Sequence, residues 1–161
     1  MSLNTCVKKE QKEGCLLIDS MDRICKVCAA DPMSHSFKKI SEKNGLLTYY
    51  CHPAQAKLYD DTDGFLLHVD NLLSLSSGKG WRCIVNGEGM DLKHASQFKT
   101  GEGLMRLFTE KHGKTMKEIV VINPTWHIKG MITVASTIME ESAMQRLRIL
   151  SDRSYSVLEF V

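Results

Sequence analysis

Ile119-Val120-Val121-Ile122-Asn123-Pro124-Thr125-Trp126 is the stretch whose reading decides the fold. Its opening run is entirely β-branched, which marks a strand buried on both faces, because a strand with one solvated face alternates apolar and polar residues. Asn123-Pro124 closes that strand. Behind it, Trp126 to Met139 carries Ile128, Met131, Ile132, Ala135, Ile138 and Met139 on one side of a helix. Upstream, Trp81 to Asn86 reads as a strand centred on Cys83-Ile84-Val85, and Leu104 to His112 as an amphipathic helix with Leu104, Leu107 and Phe108 on its inner side. Leu147 to Leu150 completes the series as a third strand. This alternation is the grammar of right-handed crossovers, so the expected fold class is α/β, a mainly parallel sheet built by βαβαβ crossovers. Ligands in such sheets lie beyond the carboxyl ends of the strands, which directs attention to the Asn-Pro turn and the helix after it.

Toward the N-terminus the pattern changes. Residues 1–15 are polar and rich in Lys and Glu, and read as a flexible segment ahead of one domain over 16–161. Leu17, Met21, Ile24, Cys25 and Cys28 recur at three- and four-residue intervals and predict a helix over Leu16–Ala30, stopped by Asp31-Pro32. Phe37–Ile40 and Leu46–Cys51 flank Asn44-Gly45, a strong two-residue hairpin signal. Pro53–Tyr59 suits a short helix, Asp60–Gly64 a tight turn, Phe65–Val69 a strand, and Leu72, Leu73 and Leu75 one apolar helical turn. The expected architecture is thus the crossover sheet plus an N-terminal helix and hairpin.

The bulk numbers exclude several function classes. A net charge of +2, from 21 basic and 19 acidic residues without a one-signed patch, argues against a nucleic-acid partner. No apolar run approaches the roughly 20 residues of a membrane span, and the polar N-terminus is unlike a signal peptide, so a cytoplasmic protein, at most peripheral to membranes, is expected. Six irregularly spaced cysteines in a chain of this length read as reduced thiols.

Motifs that carry chemistry are mostly absent. Gly87-Glu88-Gly89 follows a strand, but Leu92 occupies the third glycine position of a dinucleotide fingerprint. Ser77-Gly78-Lys79-Gly80 lacks the upstream glycine and the hydroxyl residue of a phosphate loop. Asp61, Asp63 and Gly64 imitate part of a calcium loop, yet its first and twelfth positions would be Tyr59 and Asp70. No nucleophile elbow is present, His127 reads as a surface residue, and no catalytic residue is assigned. Cys25-x-x-Cys28 has the spacing of half a zinc site, with His35 and either Cys51 or His52 as its other half. The pair also lies on the apolar stripe of its helix, and the reading preferred is a packed, reduced, metal-free pair, with no metal and no cofactor.

Trp81-Arg82-Cys83-Ile84-Val85-Asn86, the following Gly89-Met90, Ile119 to Trp126 with its trailing helix, and Gln145-Arg146-Leu147-Arg148-Ile149-Leu150 together resemble the CRAL-TRIO lipid-binding domain. That is the family of phosphatidylinositol and retinaldehyde carriers. The resemblance implies a non-enzymatic binding module for a lipid or similar small hydrophobic ligand, with Trp126 to Met139 as a gating helix over an apolar pocket. It implies Val120, Ile122, Leu147 and Ile149 as floor, Trp126, Ile128, Met131 and Ala135 on the gate, and Arg146 as the basic residue associated with a headgroup. Lys114 stands where inositide binders of the family carry an acidic partner. A peripheral membrane contact or a protein partner is compatible with this reading. The alternative reading is a protein-interaction scaffold of the same fold with a filled cavity.

Overall fold

The structure, a computed structural model, describes residues 25–161. Most of the expected N-terminal helix, with Leu17, Met21 and Ile24, lies outside the described residues, as does the segment 1–15. The described chain begins with a short helix α1 (Lys26–Ala30) and a hairpin, β1 (Phe37–Lys43) and β2 (Leu46–Cys51). Helix α2 (Thr62–Ser74) leads to β3 (Gly80–Asn86), and α3 (Leu92–Ala95) with α4 (Phe98–Arg106) leads to β4 (Met116–Ile122). Helix α5 (Trp126–Ser136) and the short α6 (Glu141–Met144) lead to β5 (Leu147–Leu150), and a 3-10 turn over Val157–Phe160 ends the chain.

The five strands form one sheet in the order β1-β2-β3-β4-β5. β1 and β2 pair antiparallel, and every later pairing is parallel. The hairpin forms as its turn residues dictate: Asn44 and Gly45 have φ of 53° and 76°, the left-handed pair that a two-residue turn demands. The three crossover strands fall where the apolar runs predict them. β4 has its last four residues buried, as a strand covered on both faces requires.

One expected element is corrected. Phe65–Val69, read as a strand, is the middle of helix α2. The Asp61 side chain accepts the Gly64 amide and caps this helix, so the acidic run is a helix start and not a hairpin-type turn. Phe65, Val69 and Leu73, four residues apart, are buried with His68 on one stripe. A second adjustment is smaller: α4 begins at Phe98, before the expected Leu104, and its last turn over Leu107–Lys111 widens to π geometry.

Strand periodicity divides the sheet into two faces. On one, Leu47, Tyr49, Trp81, Cys83 and Ile119 pack against Phe65, Val69 and Leu73 of α2 and against Phe108. Aromatic contacts knit that core: Phe37 stacks on Tyr49 with centroids 5.4 Å apart, and Trp81 meets Phe108 edge-on at 5.1 Å. The same face carries Val121, which packs with Ile128 of α5 and Met90. On the other face Ile84, Val120 and Ile122 are covered by Tyr155 and Phe160 of the C-terminal segment. There the Arg82 guanidinium donates to Thr48 Oγ1 at 3.0 Å, to Glu118 at 3.4 Å and to the Phe160 carbonyl at 2.5 Å, tying three strands to the chain end.

Asp70 at the rear of α2 joins that helix to the end of α4, with Lys111 Nζ at 2.5 Å and His112 Nε2 at 2.7 Å. Burial of its carboxylate acts to raise the pKa, but hydrogen bonds from Lys111 and His112 outweigh it and hold the group below the usual range. A folded-state pKa below the unfolded value of about 3.9 contributes stability that is present above that pH and lost as pH falls through the folded value. Asp70→Asn should therefore melt at a lower temperature than the parent at neutral pH, with the gap closing on acidification. Thermal melts at a series of pH values test this, and a gap independent of pH would refute it.

Candidate functional site

The carboxyl ends of β2 and β3 open onto a cleft of about 120 Å³ with an overwhelmingly apolar lining. Cys51 and Val85 form its floor, Phe65 comes from α2, Met90 from the loop after β3, Leu104 from α4, and Ile128 and Met131 from α5. Pro53, Ala56, Leu58 and Tyr59, in the irregular stretch after β2, close the remaining side. The location follows from the topology, because a parallel strand that leads into a crossover leaves a crevice at its carboxyl end.

Polar groups sit at the edge. His94 is buried, reciprocates the Asp91 cap by accepting the Asp91 amide on Nδ1 at 3.2 Å, and tilts against Tyr59 at 5.1 Å. Thr100 and Thr62 pair their hydroxyls at 2.6 Å. Burial pushes the Cys51 thiol up to about 12, so this residue is neutral wall material and not a thiolate nucleophile.

Of the residues singled out from sequence, Ile128 and Met131 line this cleft. Val120 and Ile122 do not: their side chains enter the core on the opposite face, against Tyr155 and Phe160. The reason is the two-residue period of the strand, which turns Ile119 and Val121 toward the helices. Leu147 packs beneath the helices, between two core clusters, whereas Ile149 is 41% exposed at the sheet edge. Ala135 is half-buried, and Trp126 is 75% exposed with its ring stacked on His127 at 3.7 Å. Arg146 is also outside the cleft. Its guanidinium donates to the carbonyls of Gly113 at 2.8 Å, Met116 at 3.0 Å and Ser142 at 3.1 Å, which employs it in fastening β4 to α6.

Sequence reasoning missed Val85, Met90, Leu104 and the stretch after β2 as lining. Their signal is weak, because each is an ordinary apolar residue whose common feature is its place in the fold.

A second cluster borders the cleft. Cys25 and Cys28 meet His35 and His68, with all four potential ligand atoms within 4.8 Å of one another. Cys51 and His52, the partners considered from sequence, are elsewhere: Cys51 lines the cleft, and His52 Nε2 bonds the Glu88 carbonyl at 2.9 Å. His68 was not a sequence candidate, because it sits in the segment read as a strand.

Asn123 closes the strand with a left-handed φ of 49° and bonds backbone, as expected. Its amide donates to the Tyr155 carbonyl at 2.9 Å, and its carbonyl oxygen accepts the Tyr155 amide at 2.8 Å. Asn123→Ala should lose about 2–4 kcal/mol, from the orphaned partners and from placing a Cβ-bearing residue without side-chain bonds at positive φ. Denaturant unfolding measures the loss, and hydrogen exchange should localise early opening to residues 151–160. An unchanged midpoint would refute the assignment.

Comparison with known proteins places this geometry. No curated protein matches the sequence. Among solved structures the chain is similar to one described as the crystal structure of Sfh5, with a TM-score of 0.58 at 11% identity. That match covers 89% of this chain and 63% of the other, so the chain spans less than two thirds of its structural relative. At that identity the likeness is one of fold. The family model of the CRAL/TRIO domain matches residues 11–161, nearly the whole sequence, and the chain belongs to that family.

Proposed function

We propose that this domain is a non-enzymatic module that holds a lipid or a similar small hydrophobic ligand in the cleft, with α5 as its gate. The observation that carries the reading is an apolar cleft at the carboxyl ends of β2 and β3, one wall of which is α5, in a chain of this family. Ile128 and Met131 are the gate residues that touch the ligand. Met90 and Leu104 form other walls, over the floor of Cys51 and Val85.

Volume argues that the gate moves. A cleft of about 120 Å³ is close to the ~150 Å³ engineered cavity that admits benzene, and an acyl chain needs more. α5 is lightly held, since Ile128 is the one residue of its eleven that is buried. Opening it exposes Ile128 and Met131, at roughly 1.5–3 kcal/mol for each fully uncovered side chain, and an acyl chain or a bilayer restores that burial. Three large apolar side chains of this region also face outward among polar ones: Trp126, Val134 and Ile138 are 75%, 58% and 62% exposed. Such a surface suits a transient peripheral contact with a bilayer, where tryptophan favours the interface. No helix among the described residues is long and apolar enough to cross a membrane.

The small volume also favours the second reading, a protein-interaction scaffold whose cavity is filled by its own side chains. Denaturing extraction of the purified protein followed by lipid mass spectrometry separates the two: a co-purified lipid supports the carrier. Met131→Glu should abolish pickup of lipid from phosphatidylcholine vesicles, because an unpaired carboxylate facing an acyl chain is heavily penalised. Lys43→Glu, exposed at the hairpin turn far from α5, should retain it. If neither extraction nor vesicle transfer detects bound lipid in the folded parent, the scaffold reading replaces the carrier.

A further inference from the structure

We propose that Cys25, Cys28, His35 and His68 form a structural zinc site, which anchors α1 and the turn before β1 to helix α2. This inference is independent of the lipid reading.

The first support is distance. Tetrahedral zinc, with Zn–S near 2.3 Å and Zn–N near 2.0–2.1 Å, requires ligand atoms roughly 3.3–3.8 Å apart. Cys25 Sγ and Cys28 Sγ lie 3.6 and 3.2 Å from His35 Nδ1, and the full set with His68 falls within 4.8 Å. Shifts of about an ångström or less, within ordinary side-chain freedom, convert this cluster into a coordination shell.

Ring orientation is the second. His35 turns Nδ1 to the thiols while its Nε2 bonds Asp61 Oδ2 at 2.8 Å. His68 bonds the Phe37 carbonyl through Nε2 at 2.7 Å, which leaves its Nδ1 for the cluster. Each histidine thus has one nitrogen directed inward and the other held by a carboxylate or a backbone carbonyl. That is the outer-shell arrangement that fixes the tautomer of metal-bound imidazoles. Both rings are buried, at 2% and 8% exposure.

The third support is what otherwise holds α1. It has five residues and buries none of them, far short of the ~12–15 residues at which an isolated helix becomes even marginally stable. Among the described residues hydrophobic packing does not account for its position; a metal bond through Cys25 and Cys28 does. Two thiolates also neutralise the dication, so the completed site carries no net charge into a largely buried place. Two soft sulfurs and two imidazoles in a tetrahedron select zinc over the hard cations.

Cys28, His35 and Asp61 also stand in the order of a nucleophile, base and carboxylate. Cys25 and His68 share the same small space, and four donor atoms within 4.8 Å of one another suit a metal ion better than a substrate carbonyl. A zinc site would supplant the expected packed, metal-free pair for a related reason: among the described residues both thiols lie against the His35 imidazole.

The test uses the full chain, produced with zinc in the medium and purified without chelator. Elemental analysis should find equimolar zinc. Cobalt added to the chelated protein should give the visible d–d bands of a tetrahedral site and a thiolate charge-transfer band. Cys28→Ser and His68→Ala should reduce zinc at least tenfold, whereas His68→Cys, which supplies another ligand, should keep it. Asp61→Asn retains the cap of α2 but loses the charge behind His35, and should weaken zinc affinity roughly 10–100-fold. A folded parent that binds neither zinc nor cobalt, an octahedral cobalt spectrum, or zinc content untouched by both Cys28→Ser and His68→Ala would overturn the proposal. Should those variants fail to fold, the cobalt spectrum of the parent decides.

Discussion

The near-contact between Gly87 and the Asn123-Pro124 turn sets the spacing on which the cleft depends. The Gly87 amide donates to the Ile122 carbonyl at 2.8 Å, and a Cβ on Gly87 would stand 3.0 Å from Pro124 Cα and 3.1 Å from the Asn123 carbonyl oxygen. The same Cβ would lie 3.3 Å from Ile128 Cγ2. Absence of a side chain there lets the ends of β3 and β4 close together and lets the first turn of α5 descend onto the sheet. Ile128 and Met131 reach the apolar cleft because of that approach. A larger residue at 87 would lift the helix, and with it one wall.

The two faces of the sheet have different duties. Three crossovers place their helices on one face, and the cleft lies in that layer, where Phe65, Leu104 and Ile128 come from three helices that do not meet perfectly over Val85. The other face is sealed by the chain end, through Tyr155 and Phe160 on Ile84, Val120 and Ile122 and through the bonds from Asn123 and Arg82. The sealed face backs the sheet on which the first turn of α5 rests. Arg82 takes part in that seal by donating to the Phe160 carbonyl.

Asp61 links the two candidate sites. One carboxylate oxygen accepts the Gly64 amide and starts α2, while the other bonds His35 Nε2. The same helix supplies Phe65 to the cleft and His68 to the cysteine–histidine cluster, and the His35 ring borders both. The cluster and the cleft wall thus share one helix N-terminus and one imidazole.

Local chemistry determined much of this protein directly. Asn44-Gly45 specified its hairpin because few other pairs tolerate two left-handed residues, and Ile119 to Ile122 specified a central strand because only burial on both faces suits four successive β-branched side chains. The order of strands and helices carried the α/β class, and Asn123 showed its structural role through the turn it closes. Three matters were left to tertiary structure. Which parity of β4 faces the helices depends on how the sheet is covered, and a strand apolar at every position contains no clue to it, so Val120 and Ile122 were placed on the wrong side. Phe65–Val69 fits both a short strand and one stretch of a helix, and it was the Asp61 cap together with contacts to Tyr49 and Phe108 that selected the helix. His68 joins Cys25, Cys28 and His35 across more than thirty residues of chain, a proximity that arises only once α2 lies against the hairpin. Periodicity reports what a segment does with its own neighbours; a site assembled from separate segments exists only after the sheet has brought them together.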